Sequence, residues 1–121
     1  MKVLVVNDSM YIRSLVKFIL EKHDHKIIGE ASTGEQAIDM YIELEPDYVV
    51  LDDILPDMKG EEVVHALIKG GESLKALMVC EPGQGIVQKL ILDFASIEFI
   101  EKPFNAISLM KAVNKVLNVN V

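Results

Sequence analysis

The stretch that decides the fold is "YVVLDDILP", residues 48–56. A run of strand-forming residues meets two aspartates, Asp52 and Asp53, and Pro56 follows closely. A strand that is apolar on both faces suits the centre of a parallel sheet, where helices cover each side. Ionised carboxylates resist leaving water. A buried strand that ends on two of them marks a place where charge is kept for a purpose. The residues alone leave open which of the two aspartates acts.

Working outward, short apolar runs alternate with stretches of helical period. "KVLVV" (2–6) predicts a first strand, and Ile12, Leu15, Val16 and Ile19 predict a helix over 10–22. "KII" (26–28) predicts a second strand. Ser32 and Glu35 in "STGE" form a capping-box pattern before a helix with Ala37, Ile38, Tyr41 and Ile42 on one face. That helix should stop before Pro46, because the residue preceding a proline is pushed out of the α region. After the third strand (48–51), Pro56 and Gly60 lead to a helix with Val63, Val64, Leu67 and Ile68, closed by Gly70 and Gly71. "ALMVC" (76–80) and "IEFI" (97–100) predict the fourth and fifth strands, with a helix near 84–94 between them. Asn105 can cap a last helix that turns Leu109, Val113, Val116 and Leu117 inward. Five strand–helix units predict an α/β fold, a doubly wound parallel sheet with five helices, in one domain over 1–121.

Bulk composition narrows the function. Half of the 121 residues are hydrophobic, enough for one core, and no apolar run approaches the ~20 residues of a membrane span. The apolar stretch near the N-terminus is too short for a secretory signal. A formal net charge of −7, with scattered lysines, disfavours nucleic acid and anionic membrane as partners. Cys80 is the single cysteine, so no intrachain disulfide can form, which suits a reducing cytoplasm. His23 and His25 in "HDH" lack a third partner for a metal, and with His65 they read as exposed polar residues.

In open sheets of this class ligands bind beyond the carboxyl ends of the strands. Those ends carry Asn7-Asp8, Asp52-Asp53, Cys80-Glu81 and then Lys102-Pro103. Clustered carboxylates favour a hard cation, and Mg²⁺ takes oxygen ligands, often one or two carboxylates with waters and phosphate oxygens. A lysine beside them offers a point charge to phosphate. An aspartate there can attack phosphorus to give an aspartyl phosphate.

At this point the chain resembles the receiver domain of two-component response regulators, especially the stand-alone chemotaxis type. "VVNDSMYIR" resembles its first-strand acidic motif, "VVLDDILPDMKG" its phosphoacceptor loop, and "IEKPF" its lysine–proline turn. The resemblance implies a flavodoxin-like sheet of order 2-1-3-4-5. From the spacing to Pro56 and Gly60 it implies Asp52 as phosphoacceptor, with Asp53 a bystander adding charge at the rim. It implies Mg²⁺ held by Asp8, Asp52 and the Ile54 backbone carbonyl, with Asn7 contributing indirectly. Lys102 would contact the phosphoryl group, Cys80 stands at the Ser/Thr switch position, and Phe99 at the aromatic switch position. The only chemistry would be self-phosphorylation and self-dephosphorylation. A histidine kinase would supply the phosphoryl group. A downstream protein would bind the face of the fourth helix, fifth strand and fifth helix, including Ile86, Lys89, Leu90 and Phe99. The chain would be cytoplasmic, a monomer or weak dimer.

Three positions depart from the family pattern. Asn7 replaces an acid and removes one negative charge. Cys80 replaces a hydroxyl, and a thiol is a weak donor; it also reads as a small buried strand-end hydrophobe. Glu81 replaces a small residue; it could turn outward, pair with Lys102, or repel a phosphoryl group. A pseudo-receiver that binds partners without phosphorylation is therefore an alternative. A third reading, an aspartate-nucleophile phosphatase, needs a second aspartate where Ile54 stands.

Overall fold

The computed structural model describes residues 1–85 and 96–118. Five strands form one sheet: β1 (Lys2–Val6), β2 (Lys26–Ala31), β3 (Tyr48–Asp52), β4 (Ala76–Cys80) and β5 (Ile97–Glu101). Their order is β2-β1-β3-β4-β5, and every pairing is parallel. The flavodoxin-like order expected from the sequence is therefore present. Four helices occur among the described residues: α1 (Met10–Lys22), α2 (Gly34–Leu44), α3 (Gly60–Lys69) and α4 (Ala106–Val116). The further helix expected near 84–94 falls largely outside the described residues, as do Ile86, Lys89 and Leu90.

Side-chain alternation along each strand splits the core in two. Leu4, Val6, Val49, Leu51, Ala76, Met78 and Cys80 face α2 and α3, where Ala37, Tyr41, Val63, Val64 and Leu67 meet them. Val3, Val5, Tyr48, Val50, Leu77 and Val79 face α1 and α4, against Val16, Ile19, Leu20, Leu109, Val113 and Val116. All five residues of β3 and of β4 are buried, which explains why neither strand shows a polar face in the sequence.

The helix ends are set by local chemistry. Ser9 Oγ accepts the Ile12 N–H and starts α1. In α2 the cap sits one residue later than the Ser32–Glu35 pattern implied. Thr33 Oγ1 accepts the Gln36 N–H, and Gln36 Oε1 accepts the Ser32 N–H. The side chain of Asp57 adds two bonds from outside the helix, accepting Gly34 N–H at 2.7 Å and Glu35 N–H at 3.0 Å. Those bonds hold its carboxyl below the usual carboxylate range. Glu45, in a left-handed conformation, ends α2 before Pro46 as expected. Ile42, expected inward, is exposed. Asn105 and Ser108 form a reciprocal capping box on α4.

His25 is not simply an exposed polar residue. The hydroxyl of the fully buried Tyr48 lies 2.8 Å from His25 Nδ1. Burial and the neighbouring Asp47 charge hold that phenol protonated at neutral pH, and the tautomer of the ring sets which of the two groups donates. Burial is also the main reason that His25 stays below the usual histidine value.

Candidate functional site

The carboxyl ends of β1, β3, β4 and β5 bring the expected residues to one edge of the sheet. Asp52, the last residue of β3, is 3% exposed. Lys102 reaches it from the turn after β5, where the Lys102 N–H donates to the Cys80 carbonyl at 2.9 Å and ties that turn to β4. The Lys102–Pro103 peptide is cis. Lys102 Nζ lies 2.9 Å from Asp52 Oδ1, a charge contact, since that oxygen receives no aligned hydrogen bond. The aligned bond of Lys102 goes to Glu81 Oε1, at 3.3 Å. One ammonium therefore serves two carboxylates.

Burial is the largest influence on Asp52 and pushes its carboxyl above the usual range. The Lys102 ammonium opposes this, and Asp53 and Asp8 reinforce it. For Lys102 burial works downward, but Asp52 and Glu81 outweigh it and the ammonium titrates higher than an ordinary lysine.

Asp53 corrects one expectation. It does point away from Asp52, as alternation requires, but it is not at the rim. Continuing the β3 alternation places it on the Cys80 face, where it is 4% exposed. Its Oδ2 accepts the Glu81 N–H at 3.2 Å, and its Oδ1 has no hydrogen-bond partner. Asp53 thus fixes the backbone at residue 81. The sequence held no signal for this contact, which joins two loops 28 residues apart.

Gly60 acquires a physical reason. Its N–H donates to the Asp53 carbonyl at 2.7 Å as α3 begins. A Cβ there would collide with the Asp52 carbonyl oxygen and lie 2.8 Å from Met78 Cε and 3.1 Å from Asp53 Cα. Only a residue without a side chain lets α3 start this close to the strand that carries Asp52.

Among the described residues no group of three or more His, Cys, Asp or Glu side chains could hold a metal by itself. A cation here would need backbone oxygen, water or ligand oxygen as well, the set Mg²⁺ prefers. The donors fit that pattern. Asp8 is exposed and close enough to act on Asp52. The bridge between Ile54 and Lys59 uses the Asp53 and Leu55 backbones, so the Ile54 carbonyl takes no part in it. Asn7 fits less well, because it is buried and its amide oxygen already accepts the Ser9 N–H at 2.9 Å.

Cys80 is fully buried, and burial, with the nearby Asp53, Glu101 and Asp52 charges, pushes its thiol up to about 12. Its packing is that of the small strand-end hydrophobe read from the sequence. Phe99 is partly buried and packs on the α2/α3 side of the core, in register with Met78.

The pattern of the response regulator receiver domain matches residues 3–114. The chemotaxis protein CheY of Listeria monocytogenes is 35% identical over 116 residues, 95% of this chain and 97% of that protein. CheY of Bacillus subtilis is 32% identical over 120 residues, 97% and 98% of the two chains. The response regulator domain of Thermotoga maritima CheB superposes with a TM-score of 0.83 at 29% identity, covering 100% of this chain and 98% of that one.

Proposed function

Because the chain belongs to the response regulator receiver domain family, we propose that it is a phosphorylation-switched signalling module whose phosphoacceptor is Asp52. The observation that carries the reading is a buried strand-end carboxylate, Asp52, with the Lys102 ammonium 2.9 Å from its Oδ1. A carboxylate oxygen of Asp52 attacks phosphorus. The bond from phosphorus to the donor nitrogen of a phosphohistidine, or to the oxygen of an acyl phosphate, breaks as the new O–P bond forms. Lys102 Nζ then follows the phosphoryl oxygens and stabilises their charge. Water later attacks the acyl phosphate, inorganic phosphate leaves, and the carboxylate is restored. Asp8, Asp52 and the Ile54 carbonyl would hold Mg²⁺, which neutralises charge on the transferring group when bound.

The chain is read as one receiver domain that catalyses chemistry only on itself, in the cytoplasm. A histidine kinase supplies the phosphoryl group, and a protein target reads the result. In this reading Cys80 weakens the coupling between the phosphoryl group and Phe99, because a thiol donates poorly. Glu81 favours the pseudo-receiver as a second reading, because its carboxylate takes the aligned bond of Lys102.

Acetyl phosphate with Mg²⁺, followed by intact mass, separates the two. Addition of one phosphoryl group that Asp52→Asn abolishes and Asp53→Asn leaves in place is the expected outcome. No mass gain in the wild type with acetyl phosphate or with phosphoramidate, or a gain lost only in Asp53→Asn, overturns the assignment.

A further inference from the structure

We propose that Glu81 sets phosphodonor specificity, selecting against free dianionic donors and for donors that carry positive charge beside the phosphoryl group. The inference rests on the reading of Asp52 as phosphoacceptor and adds a role for a residue outside that chemistry. Three observations carry it. The aligned hydrogen bond of Lys102 goes to Glu81 Oε1, whereas its contact with Asp52 Oδ1 is not aligned. The Glu81 side chain is 47% exposed, so the carboxylate stands at the mouth of the site rather than within it. Its backbone is held by the buried Asp53, whose Oδ2 accepts the Glu81 N–H, which keeps the root of the side chain beside Lys102.

An arriving phosphoryl group must therefore take Lys102 from Glu81 while passing a negative charge at the mouth of the site. A dianion meets repulsion from that charge. A donor with a cation next to its phosphorus offers Glu81 a replacement partner as Lys102 is surrendered. Asp53 acts in this as a positioning residue.

Two small donors differ in the required way. Acetyl phosphate is a dianion whose P–O bond breaks to release acetate. Phosphoramidate at neutral pH is a zwitterion with a protonated nitrogen beside phosphorus, and its P–N bond breaks to release ammonia. Labelling rates of the full chain with Mg²⁺ are compared for wild type, Glu81→Gln and Glu81→Ala. Glu81→Gln should label about fivefold faster with acetyl phosphate at low salt, the scale of one exposed ion pair. It should gain no more than about twofold with phosphoramidate, and the acetyl phosphate advantage should shrink at high salt as charges are screened. Equal gains with both donors, or an unchanged or slower rate in Glu81→Gln, overturn the proposal. So does acceleration in Glu81→Ala alone, which would make the effect one of bulk. If neither donor labels Asp52 in any of the three proteins, the phosphoacceptor reading fails and the proposal fails with it.

Discussion

Replacing Gly60 with alanine tests whether the close approach of α3 to β3 is what the glycine is for. The added Cβ would meet the Asp52 carbonyl oxygen, Met78 Cε and Asp53 Cα. The methionine methyl can rotate away, but the two backbone atoms belong to the sheet edge and can move only if α3 backs off. Overpacking of this kind costs about 1–3 kcal/mol, and rigid neighbours favour the upper half of that range. Alanine recovers up to about 1 kcal/mol of helix propensity. The net loss is therefore about 2 kcal/mol, which for a domain of this size lowers the melting temperature by roughly 6–10 °C. Thermal melts followed by far-ultraviolet circular dichroism measure it, and urea titration should show a lower midpoint with an unchanged slope. Gly70→Ala is the control. A Cβ there would lie 3.3 Å from the Ala66 carbonyl oxygen, tight but not a collision, so its effect should stay within about 1 kcal/mol of zero. If Gly60→Ala melts within about 1 °C of the wild type, the steric argument is wrong.

Other perturbations follow from the charges. Asp52 titrates above the ordinary carboxylate range, so its ionisation costs stability as pH rises through that range. Asp52→Asn should therefore stabilise the protein at neutral pH in chelator, and the gain should shrink as pH falls through the raised range and vanish below the ordinary carboxylate value. His25 has the opposite sign. Its folded pKa lies below the usual 6.5, so the unfolded chain takes up the proton first and stability falls as pH drops through and below 6.5. Urea midpoints at a series of pH values should show this slope, and His25→Gln should flatten it. Tyr48→Phe removes the hydrogen-bond partner of His25 and should cost about 1 kcal/mol at neutral pH. Asn105→Ala breaks the capping box of α4 and should cost about 1 kcal/mol by the same titration.

What could be read in advance was what depends on neighbours along the chain. β3 and β4 are short apolar runs bounded by turn residues, and their sequence matches their burial on both faces. β2 was read as ending at Ile28, yet it continues to Ala31. Its second half, Gly29-Glu30-Ala31, lacks strand propensity; the sheet edge supplies the pairing, and Arg13 and Lys17 of α1 pair with Glu30. The α2 cap moved from Ser32 to Thr33 because two hydroxyl residues in a row give the same local pattern. Asp53, Glu81 and His25 have a common reason for escaping a reading of the sequence. Each is held by a group more than 20 residues away, Glu81 N–H, Lys102 and Tyr48 respectively. No periodicity carries that information.

The lone thiol of Cys80 gives this chain a built-in clock. A reagent that alkylates thiolates finds it sealed under the end of β4 and almost wholly protonated, so the folded molecule should be nearly inert to it. Modification then proceeds only when β4 parts from its neighbours, and its rate counts those openings. Because the same strand leads directly into Glu81, the clock also runs beside the phosphoryl site. Whatever tightens or loosens that end of the sheet, a bound cation, a phosphoryl group or a partner protein, can be timed in unmodified protein, without installing a label.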